Sequence, residues 1–332
     1  MSDKLTRALL LAGCGKMGSA MLSGWLESGI VGGGVVAVEP MGTPREFASA
    51  KNVKVIASID ELPADFDPEV VVFAVKPQQM DAVAPAYKRF VGCDTAFLSI
   101  AAGKNINYFA SQLGGDAAIV RAMPNTPAAI GQGITVCCSN AATSAAQREL
   151  CRLLLAATGE AVLVDDEGLI DAVTAVSGGG PAYVFLLIEC LAEAGVEAGL
   201  PRELSDRLAL LTVAGSGQLA LTSDAPPATL RENVTSPGGT TLEALKILMA
   251  GDGLQPLMTR AIAAATEPRM PRLRCGDSSR STSIHTRCPR SRSAWARRST
   301  TSWSFHAYES MTCRARTGPA PPAVISAPPL AA

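Results

Sequence analysis

Residues 9–18, LLLAGCGKMG, decide the fold of this chain. The apolar run from Ala8 to Ala12 has the length of a buried parallel strand, and a helix-compatible segment over 19–27 follows the glycines. A strand, G-x-G-x-x-G and a helix together are typical of a dinucleotide-binding turn, in which the helix N-terminus holds a pyrophosphate. An ordinary glycine-rich turn in another doubly wound sheet would look the same, so the rest of the chain has to support the interpretation.

Each glycine of this turn has its own steric task. We expect Gly13 to permit the tight turn, Gly15 to let the backbone approach the phosphates and Gly18 to let the helix pack closely on the strand. After the second predicted strand, Glu39 stands where such folds bond the ribose 2′-OH, which favours NAD. Arg45 follows a few residues later and could instead accept the 2′-phosphate of NADP. The sequence leaves that choice open.

Composition and charge limit the classes of function that the chain can have. The 332 residues are 48% hydrophobic and 18% charged, which is typical of a soluble globular protein of two domains. The net charge of −1 divides into −9 over 1–266 and +8 over 267–332, because the tail holds eleven of the 29 basic and three of the 30 acidic residues. An acidic body predicts no nucleic-acid partner. The nine cysteines show no metal-ligand spacing, so no metal site is expected.

The sequence also predicts a cytoplasmic location. Residues 1–7 are polar, and the apolar run after them is too short for a signal peptide. The longest apolar helix that we predict, 181–200, carries Glu189, Glu193 and Glu197. Three carboxylates argue against a membrane span, so we expect no membrane partner.

Strand and helix patterns alternate through the first half of the chain. This alternation predicts a parallel, doubly wound sheet, a Rossmann-like domain over 1–165. Ligands of such sheets bind at the carboxyl ends of the strands. The predicted strands cover 8–12, 35–38, 53–56, 70–75, 96–100 and 118–122, with two more over 134–138 and 161–164 and a helix over 144–157 between them.

The pattern becomes helical after residue 166, and we expect an all-α domain over 166–266. A helix over 169–176 is followed by SGGGPAY, 177–183, which predicts a loop able to approach a ligand closely. The helices that follow, over 184–199 and 201–222, are apolar around most of their circumference, with Gly215 and Gly217 interrupting the second. Such helices favour an oligomer interface over the core of a monomer.

The segment SPGGTT, 236–241, predicts a tight turn and a helix that begins near Thr240. Free N–H groups at a helix start bind a carboxylate, although the hydroxyls here could simply cap the helix. The only histidines, His285 and His306, lie in the tail, so the body has no imidazole for acid or base catalysis. That favours reduction of a C=N bond, in which a hydroxyl such as that of Thr240 or Thr241 orients the nitrogen.

Six segments occur in the order and spacing of one family: GCGKMG, AVKP, SIAAG, RAMPNTPA, VSGGGPAYVF and SPGGTTLEAL. Over residues 9–265 the chain resembles the pyrroline-5-carboxylate reductases. The resemblance implies reduction of 1-pyrroline-5-carboxylate to L-proline, the last step of proline biosynthesis, with NADP(H) or NAD(H). It also implies a helical C-terminal domain that forms a homodimer, which in this family often assembles further into a decamer. Glu39 departs from the small or polar residue that a 2′-phosphate needs, which puts a strong NADPH preference in doubt.

The resemblance also implies roles for particular residues. Thr241 would bond the imine nitrogen as the catalytic hydroxyl, and it would hold the substrate together with Ser236, Gly239 and Thr240. Beside Glu39, the expected cofactor contacts are Ala12, Gly13, Cys14, Gly15, Lys16, Met17, Ala74, Val75, Lys76, Pro77, Ala101, Ala102, Gly103, Glu167 and Asn233.

Two other functions fit the layout less well. A β-hydroxyacid dehydrogenase needs a catalytic lysine on a helix of the second domain, where only Lys246 is found. A non-catalytic nucleotide sensor would not need the SGGGPAY and SPGGTT segments. The Arg-, Ser- and Pro-rich tail, 267–332, has no apolar period, so we expect it to be disordered or non-native.

Overall fold

The apolar run that opens the chain forms an inner strand of an eight-stranded sheet. The computed structural model describes residues 4–92 and 94–267. The strand order is β3-β2-β1-β4-β5-β6-β7-β8. Because β1 pairs with β2 on one side and β4 on the other, the chain order reverses beside β1, which is where sheets of this kind bind ligands. The strands are β1 Ala8–Ala12, β2 Val35–Val38, β3 Val53–Ile56, β4 Pro68–Phe73, β5 Ala96–Ser99, β6 Ala118–Met123, β7 Gly133–Ser139 and β8 Gly159–Leu163.

The Rossmann-like sheet is confirmed, but it is not wholly parallel. Strand β7 runs antiparallel to β6, with Cys137 opposite Ala122, and β8 runs parallel to β7. Residues 124–132 are the whole link between β6 and β7. A link of this length is too short for the crossover that a parallel neighbour requires, and it suits an antiparallel pair.

Both faces of the sheet are buried, which explains the continuous apolar strands. On one face, helix α1 (Lys16–Ser28) packs through Trp25, which is fully buried and donates a hydrogen bond from Nε1 to the carbonyl oxygen of Leu154, 2.8 Å away. On the other face, Phe73 stacks on Phe109 and meets Tyr87 edge-on. The two layers together hold the carboxyl ends of the strands in a fixed row.

The predicted glycine loop at 177–183 does not exist as a loop. The chain is helical from Leu169 to Glu197 apart from a bend at Gly179, with a π-helical turn at Thr174–Gly178 between α5 (Leu169–Val173) and α6 (Gly180–Glu197). Helix α7 likewise continues through Gly215 and Gly217, which were expected to interrupt it. A glycine in a helix interior costs only about 1 kcal/mol, so two of them do not end this helix of 21 residues. The remaining helices are α2 Met80–Val83, α3 Ile106–Leu113, α4 Ala145–Ala156, α5 Leu169–Val173, α6 Gly180–Glu197, α7 Arg202–Thr222, α8 Pro227–Asn233, α9 Thr240–Leu248 and α10 Leu254–Thr266.

Helices α6 and α7 pack on each other and leave much apolar surface uncovered within the chain. The helical run Leu169–Glu197 is long and apolar enough to cross a membrane by length and composition alone, with a mean hydropathy of 1.5. An apolar interface helix passes the same test. The large apolar side chains exposed on α6 and α7 include Phe185, Leu186, Leu187, Leu208, Leu211 and Leu219. The expectation of a disordered tail concerns residues 268–332, which lie outside the described part of the chain.

Candidate active site

The turn between β1 and α1 has the sterics that its glycines predict. Gly13 has a φ of +89°, and a Cβ there would lie 2.7 Å from Val75 Cγ1 and 3.1 Å from the backbone of Ala74. A Cβ at Gly18 would collide with the carbonyl oxygen of Gly13. The start of α1 is therefore drawn tightly against the ends of β1 and β4.

The same turn fits the diphosphate of a dinucleotide. Helix α1 begins at Lys16, and its N-cap residue, Gly15, makes no side-chain capping bond. A Cβ at Gly15 would meet no atom within 4 Å, so there is open space in front of the first helical turn. Uncapped N–H groups and the positive end of the helix dipole favour phosphate at this point.

Glu39 lies next to this turn, just past the end of β2. Its Oε2 accepts a hydrogen bond from the backbone N–H of Cys14 at 2.8 Å, and its Oε1 accepts one from Met41 at 3.2 Å. Arg45 is exposed at the start of a 3-10 turn, and it forms no ion pair with any residue that the structure describes. The carboxylate is thus held beside the glycine turn, whereas the guanidinium is not.

Two further predicted cofactor segments follow the neighbouring strands. Residues 74–77 leave the end of β4, where the N–H of Ala74 donates to Ala12 at 2.8 Å and Lys76 is exposed. Residues 101–103 follow β5, and Gly103 turns the chain with a φ of +74°. Since β1, β4 and β5 are parallel neighbours, the structure brings these segments and the 13–18 turn to one edge of the sheet.

Glu167 has structural partners in this chain. Its Oε1 accepts hydrogen bonds from Arg121 at 2.9 Å and from the N–H of Ile106, the first residue of α3, at 2.8 Å. Arg121, whose side chain is 7% exposed, also reaches Asp171 on α5 at 3.4 Å. These bonds connect β6, α3 and α5. Because Oε1 of Glu167 is occupied by them, the predicted cofactor contact of Glu167 would have to be made by Oε2, and it stays a prediction. The signal that could have revealed Arg121 is a lone charge inside an apolar strand.

The glycines of SGGG serve contacts within the chain. A Cβ at Gly178 would lie 2.5 Å from Met123 Cε, and one at Gly179 would lie 2.6 Å from the hydroxyl of Tyr183. Asn125, in the loop after β6, donates to Ser177 Oγ at 3.2 Å and accepts from the N–H of Ile134 at 3.0 Å. The contacts of Met123 and Asn125 therefore hold the π-helical turn against the carboxyl end of β6. Turns of this type are frequent at functional sites.

The SPGGTT segment forms the predicted turn and helix start. The N–H of Gly239 donates to Ser236 at 3.0 Å, Gly238 has a φ of +72°, and α9 begins at Thr240. The N-cap residue, Gly239, makes no side-chain capping bond. Thr241 is exposed, and its hydroxyl forms no hydrogen bond within the described part of the chain. Simple capping by these hydroxyls is therefore not what the structure shows.

The two halves of the predicted site are not joined within one chain. Across residues 4–92 and 94–267, no hydrogen bond or ion pair links residues 236–241 to the 13–18 turn. Asn233, also predicted to contact the cofactor, is the exposed last residue of α8. In the same described residues, no group of three or more His, Cys, Asp or Glu side chains could hold a metal ion.

Both halves of the chain match known families of proteins. Residues 167–270 match the pyrroline-5-carboxylate reductase dimerisation family, and residues 8–103 match the coenzyme F420-dependent NADP oxidoreductases. The chain is 41% identical over 263 residues to the pyrroline-5-carboxylate reductase of Pseudomonas aeruginosa, covering 79% of this chain and 95% of that protein. This chain belongs to the pyrroline-5-carboxylate reductase family.

Other family members agree. The pyrroline-5-carboxylate reductase of Arabidopsis thaliana is 36% identical, with 77% of this chain and 92% of that protein aligned. The crystal structure of the Plasmodium falciparum enzyme with NADP bound superimposes with a TM-score of 0.67 at 32% identity, covering 79% of this chain and 97% of the other. The Coxiella burnetii enzyme superimposes with a TM-score of 0.72 at 31% identity, with 79% and 97% covered. The family resemblance inferred from the six motifs is confirmed.

Proposed function

We propose that this chain reduces 1-pyrroline-5-carboxylate to L-proline with a reduced nicotinamide nucleotide. The observation that carries the proposal is the start of α9, where an uncapped helix N-terminus and the unbonded hydroxyl of Thr241 lie together. They stand in a helical region without histidine, and that region matches the dimerisation part of known reductases. Such a site can bind a carboxylate and orient a neighbouring nitrogen, which are the two polar groups of this substrate.

In this proposal, different residues of the chain bind the substrate, orient it and bind the nucleotide. The N–H groups after Gly239, with the hydroxyls of Ser236 and Thr240, hold the substrate carboxylate. The Thr241 hydroxyl lies at the imine nitrogen and orients it. When bound, the nicotinamide would supply a hydride, and an imine that arrives protonated accepts it without a side-chain acid. The turn at residues 13–18 holds the diphosphate, and residues 74–77 and 101–103 border the rest of the nucleotide.

We further propose that the apolar surface of α6 and α7 is covered by a second copy of the chain, forming a homodimer that could assemble into a decamer. The match to a dimerisation family supports this assignment. It also supports division of the chain into a nucleotide-binding domain over 1–165 and a substrate and dimerisation domain over 166–266. With that surface covered by a partner chain, Leu169–Glu197 needs no membrane, which supports a cytoplasmic location.

Neither alternative function has a structural observation in its favour. Lys246, the only lysine of the helical region, is exposed and pairs with Glu243 at 2.7 Å on its own helix. It is therefore not placed as the catalytic lysine that a β-hydroxyacid dehydrogenase would need. A nucleotide sensor would have no use for the unbonded Thr241 hydroxyl at an uncapped helix start.

The test is steady-state oxidation of NADPH and of NADH with 1-pyrroline-5-carboxylate by the full chain. The wild-type chain should turn over. Thr241→Ala should lose about a hundredfold in kcat, and Thr241→Ser should recover most of it because the hydroxyl is kept. Thr259→Ala, which removes an exposed hydroxyl from α10, is the control and should keep full activity. Nucleotide binding without turnover by the wild type would instead support a sensor.

A further inference from the structure

The corner of the sheet beside the glycine turn is acidic. Glu39 follows β2 and is held by the N–H of Cys14, as described above. Strand β3 is the outer neighbour of β2, with Ile56 opposite Val38, and its carboxyl end leads into a turn that carries Asp60 and Glu61. Because these strands are parallel, the three carboxylates follow neighbouring strand ends at the same edge of the sheet. The adenosine half of a dinucleotide lies at this edge in folds of this class.

The environment of Cys14 points to the same local charge. Burial of the thiol, together with the fields of Glu39 and Glu46, raises the pKa of Cys14, while a hydrogen bond with Ser19 lowers it. Among the side chains that act on this thiol, both charged ones are acidic. The turn that would bind a nucleotide diphosphate is therefore flanked by negative charge on the side of β2.

We infer that Glu39 makes this chain bind NADH in preference to NADPH. Glu39 is half-buried and its carboxylate is fixed by two backbone N–H groups, so it cannot swing away from a bound ribose without losing both bonds. The 2′-OH of NADH can donate a hydrogen bond to the carboxylate. The 2′-phosphate of NADPH brings a dianion to the same place, where like charges repel. This inference rests on the proposed function, since it concerns the cofactor of that reaction.

Arg45 is the side chain that could reverse this preference. It lies six positions after Glu39, is exposed, and begins the 3-10 turn Arg45–Phe47. Its neighbour in sequence, Glu46, is one of the two acids whose charge raises the pKa of Cys14. Arg45 forms no ion pair with Glu39 in the described chain, so it does not neutralise that carboxylate before a nucleotide binds. A 2′-phosphate would meet the charge of Glu39 unless the exposed Arg45 side chain moved to it.

The experiment measures binding and does not depend on catalysis. Dissociation constants of NADH and NADPH are determined by calorimetry on the full chain, without substrate. Wild type should bind NADH about tenfold to a hundredfold more tightly than NADPH, the range expected for a like-charge contact at a partly exposed site. Glu39→Gln keeps an oxygen that can accept from the Cys14 N–H but removes the charge. The dissociation constants of NADH and NADPH should become similar in this variant, mainly because NADPH binds more tightly.

The control variant is Arg45→Ala, which should leave the ratio of the two constants unchanged. A wild type that binds NADPH as tightly as NADH would overturn the inference and leave the reductase function standing. Weaker NADPH binding in Arg45→Ala would overturn it as well, because Arg45 would then hold the 2′-phosphate. If neither nucleotide binds a folded chain, the proposed function and this inference fail together. Thermal unfolding of each variant shows that it is folded.

Discussion

Replacing Gly13 by alanine should damage both the fold and nucleotide binding. The substitution forces a residue with a Cβ to hold a φ of +89° and places that Cβ 2.7 Å from Val75 Cγ1. The left-handed conformation costs about 1–2 kcal/mol, and overpacking adds about 1–3 kcal/mol. A carbonyl carbon of Ala74 at 3.1 Å limits relaxation, since backbone in a sheet edge cannot rotate away as a side chain can.

The free energy of unfolding should therefore fall by about 2–5 kcal/mol in Gly13→Ala. For a chain of this size, that is a decrease in Tm of roughly 4 to 20 °C. Urea unfolding followed by circular dichroism gives the free energy, and calorimetric titration with NADH gives the binding constant. We expect the variant to bind nucleotide weakly even at temperatures where it is folded, because the turn has to move.

Two alanine variants of other glycines separate sterics from function. Gly15→Ala should lower the unfolding free energy by only about 0.5–1 kcal/mol, because alanine is a poorer N-cap than glycine but its Cβ would meet nothing within 4 Å. It should nevertheless weaken nucleotide binding by filling the space before α1. Gly115→Ala also has open space around it and lies away from the turn, so it should change neither property. The reasoning is refuted if Gly13→Ala matches wild type in stability, or if Gly15→Ala binds nucleotide normally.

Three further predictions concern parts of the chain away from the turn. Arg121→Met removes the buried partner of Glu167 and should lower the unfolding free energy by about 2–3 kcal/mol, below the usual range because Glu167 is 28% exposed and keeps a backbone donor. Leu211→Glu puts a charge on the apolar surface of α7 and should shift the mass measured by light scattering toward the monomer. Burial and the hydrogen bond to Asp81 raise the pKa of Tyr108 to about 12, so Asp81→Asn should move phenolate formation to lower pH in an ultraviolet titration.

Each of these predictions has a control and a contrary outcome. Arg202→Met removes two exposed ion pairs, with Glu193 and Asp206, and should cost less than about 1 kcal/mol. An equal loss in Arg121→Met and Arg202→Met would contradict the role of burial. Glu203→Gln changes an exposed charge near the start of α7 and should leave the mass unchanged, whereas a Leu211→Glu variant that stays dimeric would rule out that surface as the interface.

Between pH 10 and 12 the folded chain keeps Tyr108 neutral while the unfolded chain ionises it, so this contribution to stability is lost as pH rises. A wild-type-like titration of Asp81→Asn would contradict the assigned bond.

Local signals were enough to predict the sheet and its ligand-binding edge. The β1–α1 turn, the strands at β2 and β3, and the helix start at Thr240 lie within a residue or two of their predicted positions. Each depends on interactions between neighbours in sequence, such as the turn at Gly238 or the apolar run before Gly13. The absence of histidine from residues 1–266 likewise argues against acid or base catalysis by an imidazole, and this follows from the sequence alone.

Long-range packing decided the features that were predicted wrongly or missed. The direction of β7 depends on the short link 124–132, and the helical path through residues 177–180 depends on Met123 and Asn125 holding the π-helical turn. Arg121 has no charged neighbour within its predicted strand, 118–122, and only the fold brings Glu167 beside it.

The sequence by itself determined the fold class, the nucleotide turn and the family, because these follow from residues close together in the chain. Only the tertiary structure decided which carboxylate faces the glycine turn. Glu39 and Cys14 are distant in sequence, and only the pairing of β1 with β2 brings the carboxylate within 2.8 Å of the Cys14 N–H. From the sequence, Arg45 was an equally plausible contact for the ribose end of the cofactor. It lies outside that strand pairing and is exposed to solvent.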